Sequence, residues 1–161
     1  MTTKLFGAPI ARREDPRLVT GNGRYLDDLG HTAYEAAFVR SPHAHARIVD
    51  IDVTDALETP GLIGIWSHED LGGAVGEPLP LLIPHPALTH PRTGYALAAG
   101  EVNHVGEAIA LVVAEDRYAA EDAVARIRVD YDFLTPVVGL EKARAATDLV
   151  HAEVPGNVAA N

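Results

Sequence analysis

A chain of 161 residues with 47% hydrophobic and 22% charged residues has the composition of one ordinary globular domain, and no apolar run in it is long enough to cross a bilayer. Its formal charge of -10 argues against a general nucleic-acid binder, which needs a positive field to hold phosphates. The absence of cysteine excludes disulfides, thiol nucleophiles, zinc–thiolate sites and cysteine-ligated iron–sulfur clusters from these residues.

Residues 1–30 mix proline, glycine and charge without a sustained period, so they read as an extended arm with turns, the tightest at Gly21-Asn22-Gly23. No apolar stretch suited to a secretory signal precedes the basic residues, and the default compartment is the cytoplasm. Arg12, Arg13, Arg17 and Arg24 form a local basic cluster on an acidic chain, and Tyr25 follows the turn. We read these five residues as a contact site for an acidic partner surface, an interface between subunits or domains.

The stretch 33–40 predicts a strand that Ser41-Pro42 ends, because proline lacks the ladder donor. In the next strand Val49, Ile51 and Val53 alternate with Asp50 and Asp52, the period of a half-buried sheet. Thr54 offers a cap for a short helix through Ala56 and Leu57, Pro60-Gly61 stops it, and a strand over 62–66 follows, with Ser67 capping a turn at SHEDL. Residues 74–103 read as a long loop in which repeated prolines prevent regular structure. Its apolar residues Leu79, Leu81, Leu82, Ile83 and Leu97 call for a partner surface.

Beyond the loop the pattern is clearer. The apolar run 108–114 predicts a strand, and residues 118–127 a helix capped by Asp116 with the stripe Ala120, Ala123, Val124 and Ile127. A strand over 128–133 should turn Val129, Tyr131 and Phe133 inward. A short helix over 140–145 leads to residues 147–161, including HAEVPGNVAAN, read as a polar linker toward a missing catalytic region.

Eight histidines raise the question of a metal. His43 and His45 would share one face of a strand and could chelate if a carboxylate joined them, whereas His85, His90 and His104 sit in or near the loop without an HExxH spacing. All five are read as surface or turn histidines, and a small histidine-metal enzyme ranks last. Glu101 or Glu107 beside His104 offers acid–base chemistry on paper, but such neighbours arise by chance in an acidic chain. Gly21-Asn22-Gly23-Arg24 lacks the third glycine and flanking elements of a dinucleotide fingerprint, and no GxSxG elbow is present. Trp66, Phe38, Tyr131 and Phe133 are taken as core rather than as a ligand face.

Four strings, REDPRLVTGNGRYLDDL at 13–29, AAFVRSPHAHARIVDID at 36–52, PGLIGIWSHEDL at 60–71 and HVGEAIALVVAEDRYAAEDAVARIRVDYDFL at 104–134, resemble in order and spacing the large-subunit N-terminus of the xanthine dehydrogenase, aldehyde oxidase and carbon monoxide dehydrogenase family. The style of EDPRLVTGNGRY is similar to the bacterial three-subunit enzymes. The resemblance departs near residue 30, where LGHTAYEAAFVRSP replaces a longer turn.

This resemblance implies an α+β fold, the α/β hammerhead, with a mixed sheet, a packed helix and the N-terminal arm, its domain spanning residues 31–146. It implies a molybdopterin-dependent hydroxylase that adds water-derived oxygen to its substrate, with molybdopterin cytosine dinucleotide, FAD and [2Fe-2S] clusters held by a catalytic domain or subunit, an FAD subunit and an iron–sulfur subunit. No residue here matches the family's molybdenum-contacting loops or its catalytic glutamate. These residues are therefore expected to carry no catalytic, cofactor or metal site, to bind neither nucleic acid nor membrane, and to serve as a structural and interface domain, in a longer large subunit or a split one. The loop before HVGE would border a substrate funnel, with Tyr95 and Leu97 lining it. The alternative is a free-standing module whose long loop binds a small ligand or another protein.

Overall fold

The computed structural model describes residues 7–29 and 33–161, which belong to two compact units, residues 1–32 and 33–161. The first unit carries a short helix α1 (Asp15–Val19) and a single 3-10 turn at Leu26–Asp28. Pro16 suits the first turn of α1 because its fixed φ is helical and its missing N–H would have had no partner there. The backbone at Gly21 turns left-handed, φ +72°, and the Asn22 amide returns to the Arg17 carbonyl at 2.9 Å. The arm expected to be extended therefore contains one closed helical turn; residues 1–6 and 30–32 of it lie outside the described residues.

The second unit is built on two three-stranded antiparallel sheets. One has the order β1 (Glu35–Arg40), β5 (Ala108–Ala114), β3 (Leu62–Ser67); the other β4 (Glu101–Val102), β2 (Ala46–Asp52), β6 (Arg128–Phe133). β5 is paired on both edges, with Ala110, Val112 and Ala114 buried on one face and the half-buried Leu111 and Val113 on the other, so apolar residues occupy both faces and its sequence is nearly unbroken in hydrophobicity. Helix α2 (Arg117–Arg126) follows, its first turn closed by Asp116 Oδ1, which accepts from the Ala119 amide at 2.9 Å. Ala120 and Ala123, both buried, let the helix approach Ala37 and Ala114 closely, and Val124 and Ile127 extend the contact. The shared core takes Val39, Ala110 and Val112 from the first sheet and Ala46 and Val102 from the second.

Register decides which apolar residues reach that core. The β2–β6 ladder slips between Ile48 and Asp50, so the extra residue Val49 is pushed out to 65% exposure and Ile48 and Ile51 both face inward. The expected Val49–Ile51–Val53 face is corrected by this bulge. Phe133 is corrected too: it closes the ladder opposite Ala46 yet is 69% exposed, because it lies at the sheet's end beside His43 rather than under a covering element. Thr54 caps no helix; its amide instead donates to Asp52 Oδ1 at 2.9 Å, and the 3-10 turn Ala56–Glu58 starts from the Val53 carbonyl.

The other face of the β1–β5–β3 sheet is apolar but less covered. Phe38, Leu111 and Trp66 form one row across the three strands and Ala36, Val113 and Gly64 the next. The Trp66 indole lies over Gly64, where a Cβ would stand 2.5 Å from its ring. Phe38, expected in the core, is 41% exposed, with the Arg40 guanidinium 5.3 Å from its ring centroid.

Past α3 (Leu140–Ala145), residues 147–161 are more closely tied than a linker requires. Asn157, in the left-handed region at φ +53°, accepts from the Val150 amide at 2.9 Å and donates to the carbonyls of Asp148 and Ala143. Leu88 and Ala160 form a β-bridge, the Thr89 amide donates to Ala159, the His90 ring bonds the Val158 carbonyl, and Val154 is buried. The chain's last residues thereby pin the 85–93 part of the long loop.

Candidate functional site

Strand ends, a turn and the returning tail meet around a cavity of about 380 Å³ lined by Arg92, Tyr95, Glu101, Asn103, His104, Glu107, His151 and Glu153, among others. Its floor is set by β2 and β4. Because Ala46 pairs with both Val102 and Phe133, the preceding residue His45 comes between Glu101, the first residue of β4, and Thr135 just past β6. Its Nε2 bonds Glu101 Oε1 and its Nδ1 the Thr135 carbonyl, each at 2.9 Å, with the residue only 9% exposed. Burial by itself would lower the pKa of this imidazole, but the Thr135 carbonyl and the Glu101 carboxylate outweigh it and hold the value above the ordinary 6.5.

Across the cavity the balance is reversed. His151 is depressed below the ordinary histidine value by burial first and then by the Arg92 guanidinium, against the opposing pull of Glu101 and Glu107. Arg92 is itself ion-paired with Glu153. Glu107 Oε2 accepts from the Asn103 amide at 2.5 Å and lies 3.4 Å from His104 Nδ1, while Gly106, with φ +89°, makes the tight turn that brings Glu107 back over Asn103. The buried Asn103 Oδ1 accepts no hydrogen bond from the described residues. Tyr95 also lines the cavity, its ring 4.9 Å from that of His68 in an edge-to-face contact.

Several sequence expectations change here. Tyr95 lines the cavity, whereas Leu97 is 3% exposed and packs inside the chain. Leu79, Leu81, Leu82 and Ile83 are exposed, Leu82 by 86%. His43 makes edge-to-face contacts with the Tyr131 and Phe133 rings at 4.7 and 4.8 Å, while His45 points to Glu101, so the two are not placed as a chelating pair. His85 accepts from the Ala87 amide and closes a local turn.

Arg12, Arg13, Arg17, Arg24 and Tyr25 all lie exposed in the first unit, with Arg17 bound to Glu14 at 3.1 Å and the Tyr25 amide to Asp28 at 2.8 Å. The cavity belongs to the second unit. Sequence reasoning paired Glu101 and Glu107 with His104 but missed Arg92, Asn103, His151 and Glu153. No local spacing could have linked residues so far apart; only the three-residue step from His104 to Glu107 carried a signal.

The family described as aldehyde oxidase and xanthine dehydrogenase, a/b hammerhead domain, matches residues 20–135. This chain belongs to that family. Its α+β architecture is that of the hammerhead domain of aldehyde oxidoreductases. Among hammerhead relatives, the nicotine 6-hydroxylase large subunit of Paenarthrobacter nicotinovorans is 37% identical over 98% of this chain, and the carbon monoxide dehydrogenase large chain of Afipia carboxidovorans 36% identical over 86%. The match spans only 19% and 16% of those proteins. Quinoline 2-oxidoreductase from Pseudomonas putida 86 superposes with a TM-score of 0.74 at 40% identity, covering 94% of this chain and 19% of that one. The aldehyde oxidoreductase of Desulfovibrio gigas gives 0.75 at 27% identity over 89% and 16%. No helix among the described residues is long and apolar enough to cross a membrane.

Proposed function

We propose that this chain is the packing and interface domain of a molybdenum hydroxylase large subunit and contributes no catalytic residue of its own. The supporting observation is the apolar β1–β5–β3 face, where Phe38, Leu111 and Trp66 form a row that the chain's own core does not use. Burying such a row against the catalytic region would gain roughly 25 cal/mol for each Å² of apolar surface removed from water. The exposed Leu79, Leu81, Leu82 and Ile83 would extend the contact, and Arg12, Arg13, Arg17, Arg24 and Tyr25 would face an acidic neighbouring surface.

The complex would hold molybdopterin cytosine dinucleotide, FAD and [2Fe-2S] clusters in its catalytic, flavin and iron–sulfur parts, and would oxidise its substrate with oxygen from water. The residues present do not fit an iron–sulfur cluster or a metal ion. The chain has no cysteine, and among the described residues no cluster of three or more His, Cys, Asp or Glu could hold a metal. Tyr95 would stand beside the route to the catalytic region.

Co-expression of the full chain with the other parts of the enzyme tests this reading, with recovery of molybdenum and iron on the tagged chain as the measurement. Wild type should retain both. Phe38→Asp should lose them while the isolated variant keeps the wild-type melting temperature; retention of both metals by that variant would overturn the assignment of this face.

A further inference from the structure

We infer that Asn22 is a modification site, converted to aspartate and isoaspartate by attack of the Gly23 main-chain nitrogen on the Asn22 side chain. Both reacting groups are available in the turn that follows α1. Asn22 is exposed, and its side chain is held only through Nδ2, which donates to Thr20 Oγ1 at 3.1 Å and to the Thr20 carbonyl at 3.5 Å. Neither bond involves Cγ or Oδ1, so the carbon to be attacked stays open to its neighbour. The Asn22 main-chain amide is committed to the Arg17 carbonyl, but the Gly23 amide makes no hydrogen bond among the described residues. A Cβ at position 23 would stand 2.7 Å from Leu18 Cδ2, so the turn admits only glycine, and no side chain crowds the attacking nitrogen. Arg24, exposed and next in sequence, adds a positive charge beside a nitrogen that must shed its proton to react.

The conversion needs only water. The Gly23 nitrogen gives its proton to water and bonds Asn22 Cγ; the Cγ–Nδ2 bond breaks, and the amine takes a proton from water and leaves as ammonia, closing a succinimide ring. Water then opens the ring. Attack at Cγ breaks its bond to Gly23 and leaves aspartate, whereas attack at the Asn22 main-chain carbonyl carbon leaves isoaspartate, with the chain running through Cγ. Two other asparagines lack this arrangement. Asn157 is tied through three hydrogen bonds and precedes the β-branched Val158, and Asn103 precedes His104, whose side chain crowds the following nitrogen. Conversion of Asn22 places a carboxylate in the stretch that carries Arg12, Arg13, Arg17 and Arg24, and isoaspartate lengthens the main chain where Gly23 packs on Leu18. The converted chain is thereby excluded from the assembly, a consequence that rests on the reading of these arginines as a contact for an acidic surface.

The test incubates the full chain at mildly alkaline pH, labels it with protein isoaspartyl methyltransferase and radioactive S-adenosylmethionine, and maps tryptic peptides by mass spectrometry. The label and the amide-to-acid mass change should appear on the peptide Leu18–Arg24, grow with incubation pH, and be absent from the peptides holding Asn103 and Asn157. Asn22→Gln should lose the label from this peptide, and Gly23→Ala most of it. A native chain that stays unlabelled at Asn22 while its urea-unfolded form is labelled, or one labelled equally at all three asparagines, would overturn the inference; these comparisons stand even if a variant fails to fold. Mixing a partly converted chain with the other parts of the enzyme tests the consequence separately. The converted forms of Leu18–Arg24 should be depleted from the assembled fraction. Equal recovery of converted and unconverted peptide there would overturn the interface role of the arm and leave the modification site standing.

Discussion

The two faces of the β1–β5–β3 sheet carry similar hydrophobicity and opposite packing. On one, Ala37, Val39, Ala110, Val112 and Ala114 are buried beneath α2 and the second sheet; on the other, Phe38 is 41% exposed and Leu111, Val113 and Trp66 are half-buried. The covered face uses small side chains so that a helix can lie close. The open face carries Phe38, Leu111 and Trp66 in one row, with the small Ala36 and Gly64 flanking Val113 in the next. Where α2 lies on the sheet, small residues set the close approach, whereas the large side chains of Phe38, Leu111 and Trp66 stand on the face that the chain covers less.

Substitutions should break this contrast unequally. Ala123→Leu, forcing side-chain volume into the closed helix–sheet contact, should cost about 2–3 kcal/mol in urea denaturation. Gly64→Ala should cost about 1 kcal/mol, because its methyl would displace the Trp66 indole, and near-ultraviolet circular dichroism should report that displacement. Asn157→Ala, removing three hydrogen bonds that fold the tail, should destabilise by a comparable amount, about 1 kcal/mol, with hydrogen exchange accelerated at Val150 before the sheets respond. Phe38→Ala should change the isolated chain least, within about 0.5 kcal/mol, and a larger loss would mean that the open face is closed within the chain.

The histidines flanking Glu101 sharpen the comparison by pH. His45 has a raised pKa, so its contribution is complete below pH 6.5 and is lost as pH rises through the raised value. His151 has a lowered pKa; its contribution is present above 6.5 and is lost as pH falls toward the lowered value. Urea midpoints measured from pH 5 to 8 should decline on both sides. His45→Gln should flatten the alkaline decline and His151→Gln the acid one; identical profiles in the variants would refute the opposed titrations.

The sequence made the second half of the fold legible because its signals are local. The bounds of β5, β6 and α3 follow from an apolar run, an alternation and a short helical period, and α2 is displaced by a single residue, with its Asp116 cap as expected. Its resemblance motifs carried the family. What stayed hidden depends on tertiary placement: the slip at Val49 that reverses a face, the end-of-sheet position that exposes Phe133, and the burial of Leu97. The cavity was the least legible feature, since Arg92, Glu101 and His151 become neighbours only after β4 pairs and the tail returns.

That returning tail sets an order on the ribosome. A chain emerging from its N-terminus at about 5–20 residues per second presents all six strands, the last ending at Phe133, before His151, Glu153 and the bridge at Ala160 exist to wall the cavity. The sheets therefore need no occupant as a template during synthesis. Mistakes in closing the tail should leave the two sheets folded beside an open groove rather than yield aggregates.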